Sequence, residues 1–297
     1  MSRSARREAI TFYILISPWV IGFFLFIAYP MVRSLYLALT QYHIGREPVF
    51  IGFDNFSRLF QDPDFWLSLK VTTIYVIGSV AGSTVIAISI AMLLARPIRG
   101  VRVWRTIYFV PSVVAPIAVA VLWFYVFNPQ YGLVNTLLGY LGIKGPGWIT
   151  SEDWALVSLI FMSWWTVGGQ VIIYLAGLKN IPQEYYEVAQ IDGAGAWSRF
   201  RRITVPLLSP VILFNVVLGL IGAFQVFEGP LVLTNGGPNK STLTYMLNLY
   251  REAFQMGSLG YASALAWILF MIIMVLTVLV LRSSSMWVFY ETERERA

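Results

Sequence analysis

Stretches without a single Asp, Glu, Lys or Arg run from Ala9 to Val32, Val71 to Ala95, Thr106 to Ile143, Trp154 to Leu178, Ile203 to Phe227 and Ala253 to Leu281. Each exceeds the roughly 20 residues that an apolar helix needs to cross a bilayer, so six spanning helices are predicted. The third window is too long for one span. Pro129 and the Gly/Pro-rich stretch from Gly142 to Gly147 break its end, leaving a helix from Thr106 to about Asn128 and a loop beyond it. The piece from Gly132 to Ile143 is too short to cross by itself. Arg3, Arg6 and Arg7 precede the first window as in a signal peptide. The apolar run is too long for one and no small-residue cleavage pattern follows, so a retained signal anchor is expected.

Composition supports an integral membrane protein: 58% of residues are hydrophobic, 12% are charged and mean hydropathy is +0.69. With no cysteine and one histidine, His43, the chain has no thiolate metal site, Cys nucleophile or His cluster, so neither a metal nor a catalytic set is assigned. The net charge of +6 is read as membrane orientation rather than nucleic-acid binding. With a cytoplasmic N-terminus, the inner segments hold Arg3, Arg6, Arg7, Arg96, Arg99, Arg102, Arg105, Lys179, Arg199, Arg201, Arg202, Arg282, Arg294 and Arg296. That is two-thirds of the 21 lysines and arginines. Both termini are therefore expected inside. Trp19, Trp66, Trp104, Trp123, Trp148, Trp154 and Trp287 fall near span ends, where an indole can anchor at the interface. No internal repeat is evident. A single domain over 1–297 is expected, with the span at about 9–32 peripheral and a core at about 71–281.

One cytoplasmic segment, 180–206, is too ordered for a connector. Asn180 can cap a helix, Pro182 suits its first turn, and Glu184 and Glu187 lie toward the positive end of its dipole. Tyr185, Val188, Ala189 and Ile191 leave an apolar face, Gly193 and Gly195 allow a turn, and Trp197, Phe200 and Ile203 begin a second apolar stripe. A helix lying on lipid headgroups would carry Lys or Arg, whereas Glu184, Glu187 and Asp192 would be repelled by anionic lipid. An acidic, aromatic helix fits a groove on a protein partner.

These residues resemble a known family. Glu187-Val188-Ala189, then Gly193, then Ile203-Thr204-Val205-Pro206 matches the EAA loop of the membrane subunits of bacterial ABC importers, with Val188 in place of the usual Ala. Ile191-Asp192-Gly193-Ala194-Gly195 and Phe200-Arg201-Arg202-Ile203-Thr204-Val205-Pro206-Leu207-Leu208 resemble its carbohydrate branch. Leu233-Thr234-Asn235-Gly236-Gly237-Pro238 and Ser17-Pro18-Trp19 resemble the first permease subunit of maltose-type and glycerol-phosphate-type importers. The resemblance implies an all-α, six-helix type I importer permease in the bacterial cytoplasmic membrane. Its implied partners are a second related permease, two cytoplasmic ATPase subunits, an extracytoplasmic sugar-binding protein and a sugar or oligosaccharide. ATP would be bound by the ATPase, and the permease itself would be neither an enzyme nor a cofactor carrier. In keeping with that division, the chain has no Gly-Lys pair and hence no P-loop. Tyr185, Glu187, Val188, Ala189, Asp192 and Gly193 are the implied ATPase-coupling residues. Thr242 to Leu259 is implied to form outer helices facing the binding protein, with Arg251 and Glu252 as solvent charges.

Two other classes fare worse. An ion-coupled secondary transporter working without an ATPase commonly buries ionisable groups at mid-membrane, yet the six windows hold none. An intramembrane hydrolase lacks a base for any serine nucleophile. Candidate path residues are the polar and aromatic groups of spans four and five: Trp164, Trp165, Gln170, Tyr174, Asn215, Phe224 and Gln225, with Glu228 just beyond. Sugars favour aromatic faces with amide hydrogen bonds, although the same groups also pack helices. Gly168, Gly169, Gly219 and Gly222 are expected to allow close helix approach.

Overall fold

A computed structural model describes residues 3–97 and 99–289. Arg294 and Arg296 lie outside the described residues. The chain divides into two compact units, one comprising the residues up to Asp62 with Leu249–Ile268, the other Pro63–Asn248 with the chain from Leu269 onward.

In the first unit, helix α1 spans Ser4–Ala38, well beyond the charge-free window, because Arg6, Arg7, Glu8 and Arg33 sit within it. None of the residues in its most apolar 18-residue stretch is buried. Two short antiparallel strands, β1 (Thr40–Gln41) and β2 (Val49–Phe50), pair Thr40 with Phe50, and α2 (Asp54–Gln61) follows. Most of the segment 33–70, between the first two windows, is therefore in regular structure. Asn55 fixes it by donating from Nδ2 to the carbonyls of Ala38 (2.8 Å), which the end of α1 leaves without a helical partner, and of Thr40 (2.9 Å) in β1. The Tyr261 hydroxyl donates to Asp62 at 2.6 Å, and the Arg58 guanidinium lies 4.2 Å from the centre of the Tyr261 ring. Arg58 also reaches Glu252 at 4.0 Å, and the Glu252 side chain is only 20% exposed. The expectation that Arg251 and Glu252 are solvent charges is thus corrected: both are half-buried and Glu252 is paired.

The second unit is built around α3 (Pro63–Ala95). Pro63 opens this helix, where a missing N–H costs nothing, and Asp64 sits in its first turn against the helix dipole. The third span is not one helix. It consists of α4 (Val101–Val113) and α5 (Pro116–Val126), bent by 101°. Ala115 precedes Pro116 and is held at ψ 133, the extended conformation that proline imposes on its predecessor. The stretch expected as loop contains a two-turn helix, α6 (Leu133–Tyr140), too short to cross.

The fourth span is also broken, into α7 (Glu152–Trp165) and α8 (Gly168–Asn180), at an angle of 49°. A Cβ on Gly168 would overlap the Tyr108 carbonyl, so only glycine lets α8 cross α4 there. After α9 (Gln183–Ile191) comes α10 (Ala196–Phe224), then α11 (Tyr245–Tyr250) and α12 (Leu259–Trp287). The last window began at Ala253, but Gly257, at φ +68, separates α12 from that stretch. Among the described residues, four helices are long and apolar enough to cross a membrane, and counting each bent pair as one span makes six.

Helix α3 packs against α7, α8 and α10. Ala87 and Ala91, fully buried, let Val171, Tyr174, Leu175 and Leu208 close onto it. Small residues at such crossings are what helix packing in lipid requires, because no hydrophobic driving force separates helix from acyl chain.

Candidate functional site

A cavity of about 300 Å³ opens among α3, α7, α8 and α10. Tyr75, Ser79 and Ser83 enter it from successive turns of α3. Ser163 and Thr166 come from the end of α7, Gln170 from α8, and Gln225 and Glu228 from the segment after α10. The break at Thr166–Val167 turns the chain so that residues on both sides of it face the same space. The hydroxyls are tied to their own helices: Ser79 to the Val76 carbonyl (3.3 Å), Ser83 to Val80 (3.1 Å), Ser163 to Ile160 (2.6 Å) and Thr166 to Ser163 (3.1 Å). Each hydroxyl proton is thereby occupied and its oxygen lone pairs remain to accept. Gln170 keeps its Oε1 buried without a protein partner, an acceptor waiting for a donor. Gly219 and Gly222 also line the space, leaving it room.

Of the expected path residues, the structure brings together Gln170, Gln225 and Glu228. The others lie elsewhere. Trp164 wedges between helices, donating from Nε1 to the Gly78 carbonyl at 3.1 Å and lying so close to Gly82 that a Cβ would overlap the indole. Trp165 meets Trp123 edge-on at 6.0 Å. Tyr174 is fully buried in the α3–α8 core. Asn215 donates to the carbonyl of Val211 one turn earlier (2.9 Å), and Phe224 is buried. Aromatic rings fill gaps between spans, and an amide in a helix turns to its own backbone when no partner faces it. Sequence reasoning missed Tyr75, Ser79 and Ser83, whose spacing of four along span two was the available signal.

The segment 180–206 folds as helix, turn and helix. Pro182 stands at the N-cap of α9 and Asn180 ends α8, so the expected Asn180 cap is not formed. Helix α9 stops at Asp192 and Gly193. The Gly193 N–H bonds the Gln190 carbonyl (3.1 Å), and the Ala194 N–H bonds that of Ala189 (2.8 Å). This pair of bonds requires a left-handed residue, and Gly193 has φ +77. Tyr186 shares a 3.0 Å hydrogen bond with Thr204, tying α9 to the start of the α10 span. The apolar face points outward: Tyr185 is 46% exposed, Val188 59% and Ile191 85%, with Trp197 exposed beside them. Glu187, Asp192 and Gly193 are exposed as well, and Ala189 is half-buried.

Residues 49–289 match the family described as "Binding-protein-dependent transport system inner membrane component". The chain belongs to that family. It is 40% identical to the probable ABC transporter permease protein YesP of Bacillus subtilis, over 99% of this chain and 96% of the relative. It is 36% identical to the lactose transport system permease protein LacF of Rhizobium radiobacter, over 90% and 91%. The fold matches a chain of a bacterial alginate ABC transporter solved in complex with an alginate pentasaccharide-bound periplasmic protein. The TM-score is 0.83, with 26% identity, 95% of this chain covered and 96% of that one. The fold is that of a type I ABC importer permease.

Within this permease, the Leu233–Pro238 motif forms a compact turn. Asn235 (φ 43) and Gly236 (φ 73) are left-handed, and Thr242 joins Thr234 (2.6 Å) and the Gly237 carbonyl (2.8 Å). Lys240, just beyond, pairs with Asp64 at the start of α3 at 2.7 Å. The motif thus fixes the chain between α10 and α11. The segment from Thr242 to Leu259 is largely helical, as expected.

Proposed function

We propose that this permease forms part of the translocation path of a sugar or oligosaccharide importer in the bacterial cytoplasmic membrane, and that α9 docks into a separate ATPase that drives it. The observation carrying the proposal is the outward apolar face of α9, with Tyr185, Val188 and Ile191 uncovered on a helix whose remaining surface is acidic. Such a patch at a chain's water-facing end calls for a protein partner. Glu187 supplies a charged contact, Val188 and Tyr185 fill the groove, and Gly193 sets the angle at which α9 leaves its supports. Ala189 and Asp192 complete the docking face. The curated relatives are named as carriers of lactose, starch degradation products and arabinooligosaccharides, and the solved neighbour belongs to an alginate importer. A cavity of hydroxyls, amides and one tyrosine suits hydroxyl-rich cargo delivered by a binding protein, with a second, related permease closing the path.

The test is ATP hydrolysis by the assembled importer in liposomes. Glu187→Lys and Gly193→Leu should abolish stimulation by the binding protein while the complex still assembles. Normal stimulation in both would end the coupling assignment. Orientation is tested separately with Arg99→Cys in the cysteine-free chain. An impermeant thiol reagent added outside should leave it unmodified, since the arginine-rich loop belongs inside.

A further inference from the structure

Two helices support the proposed coupling loop: the end of α8 leads into it and the start of the α10 span leads out. They touch at Gly177, where a Cβ would sit 2.9 Å from Leu208 Cδ1 and 2.9 Å from Val211 Cγ2. A third element meets them there. Beyond α12 the chain continues through Val288, which is 9% exposed, to Phe289, whose backbone N–H donates to Ser209 Oγ at 2.9 Å. Ser209 is itself 2% exposed and donates to the Pro206 carbonyl at 2.6 Å, so its hydroxyl is engaged on both sides. Phe289 also lines a cavity of about 230 Å³ together with Asn180, Ile181 and Pro182, the link into α9, and with Pro210 and Val211 on the outgoing helix. A connector without a role would end in water rather than place a buried residue and a main-chain hydrogen bond on an element 80 positions earlier.

We propose that Val288 and Phe289 form a C-terminal clasp, a positioning element that fixes the base of the coupling loop by bridging its incoming and outgoing helices. The inference rests on the coupling role of α9. The cavity beside Phe289 leaves room for the link Ile181–Pro182 to shift, while the Ser209 bond holds the outgoing helix to the end of α12. A force on α9 is therefore delivered to α12 as well as to its own two supports. Phe289 and Ser209 act through α9 and touch neither cargo nor nucleotide.

The test uses the complete importer, with its second permease, ATPase and binding protein, in liposomes. Spin labels go on Val85→Cys, exposed on α3, and Gln183→Cys, exposed at the start of α9, in a chain with no native cysteine. Phe289→Ala and Ser209→Ala should each broaden the distance distribution between the labels. Both should also lower binding-protein-stimulated ATP hydrolysis by about threefold or more, while unstimulated hydrolysis and subunit ratio stay unchanged. Phe289→Leu, which refills the apolar contact, should restore both. Unchanged distance and stimulation in Phe289→Ala would overturn the clasp. If that variant fails to assemble, the same null result in Ser209→Ala overturns it. Glu187→Lys separates the two ideas. It should remove stimulation without altering the distance distribution, so retained stimulation refutes the docking role, whereas the label distances judge the clasp independently.

Discussion

The cavity and the helix α9 depart from ordinary burial rules in opposite directions. Around the cavity, serine and threonine hydroxyls are held inside an apolar bundle, and each is bonded to a carbonyl of its own helix so that burial costs little. On α9, Val188 and Ile191 are offered to water with nothing over them. The first arrangement is stable alone and supplies acceptors to a polar visitor. The second is complete only when another chain covers it. Polar groups inside and apolar groups outside fit the two tasks proposed above, recognition in the path and reception of force, and α8 and α10 adjoin both regions.

The largest expected effect lies on α9. Gly193→Leu places a side chain at φ +77, and Glu187→Lys reverses a docking charge. Each should reduce stimulated ATP hydrolysis by on the order of tenfold or more, with assembly intact, as measured on purified complexes. Helix packing beside the cavity comes next. Gly82→Val would drive a branched side chain into the Trp164 indole and should destabilise the permease by about 1–3 kcal/mol, seen as a lower thermal midpoint in detergent. Gln170→Ala removes the unpartnered acceptor without touching the fold. Uptake of the sugar carried by the importer's own binding protein should need several-fold more substrate, about 1 kcal/mol, while unstimulated ATP hydrolysis stays unchanged. The smallest effect belongs to Lys240→Ala, which removes a half-exposed ion pair with Asp64 and should cost under about 1 kcal/mol, with a difference that shrinks at high salt.

The helix, turn and helix of segment 180–206 were readable because their signals are local. Glycine spacing, the proline at its start and the alternation of acidic and apolar residues are all contained within 27 residues, and the structure forms helix, turn and helix there. The broken spans were not readable from hydropathy, which treats Pro111, Pro116 and the aliphatic residues around them as one apolar run. Local proline rules do point to Ala115, but a proline in a span can also be absorbed as a kink, as Pro18 is within α1. Thr166 and Val167 carry no such mark, and their break lies where the start of α8 packs against α4. The cavity was half readable. Gln170, Gln225 and Glu228 stood out as polar groups in or beside apolar windows, whereas Ser79 and Ser83 looked like ordinary small packing residues. Tyr174 and Asn215 were as polar as the true lining, and only tertiary contacts show that one fills the core and the other bonds its own helix.

The proposed entry of energy through α9 is open to direct test by cross-linking from its outward face. Val188→Cys, the sole cysteine of the chain, is treated with a short thiol-to-amine cross-linker in the assembled, transport-competent importer. The expected result is a covalent product of permease and ATPase, lost when Val85→Cys replaces Val188→Cys as the cysteine site. Full transport activity with no ATPase adduct at Val188→Cys would contradict it.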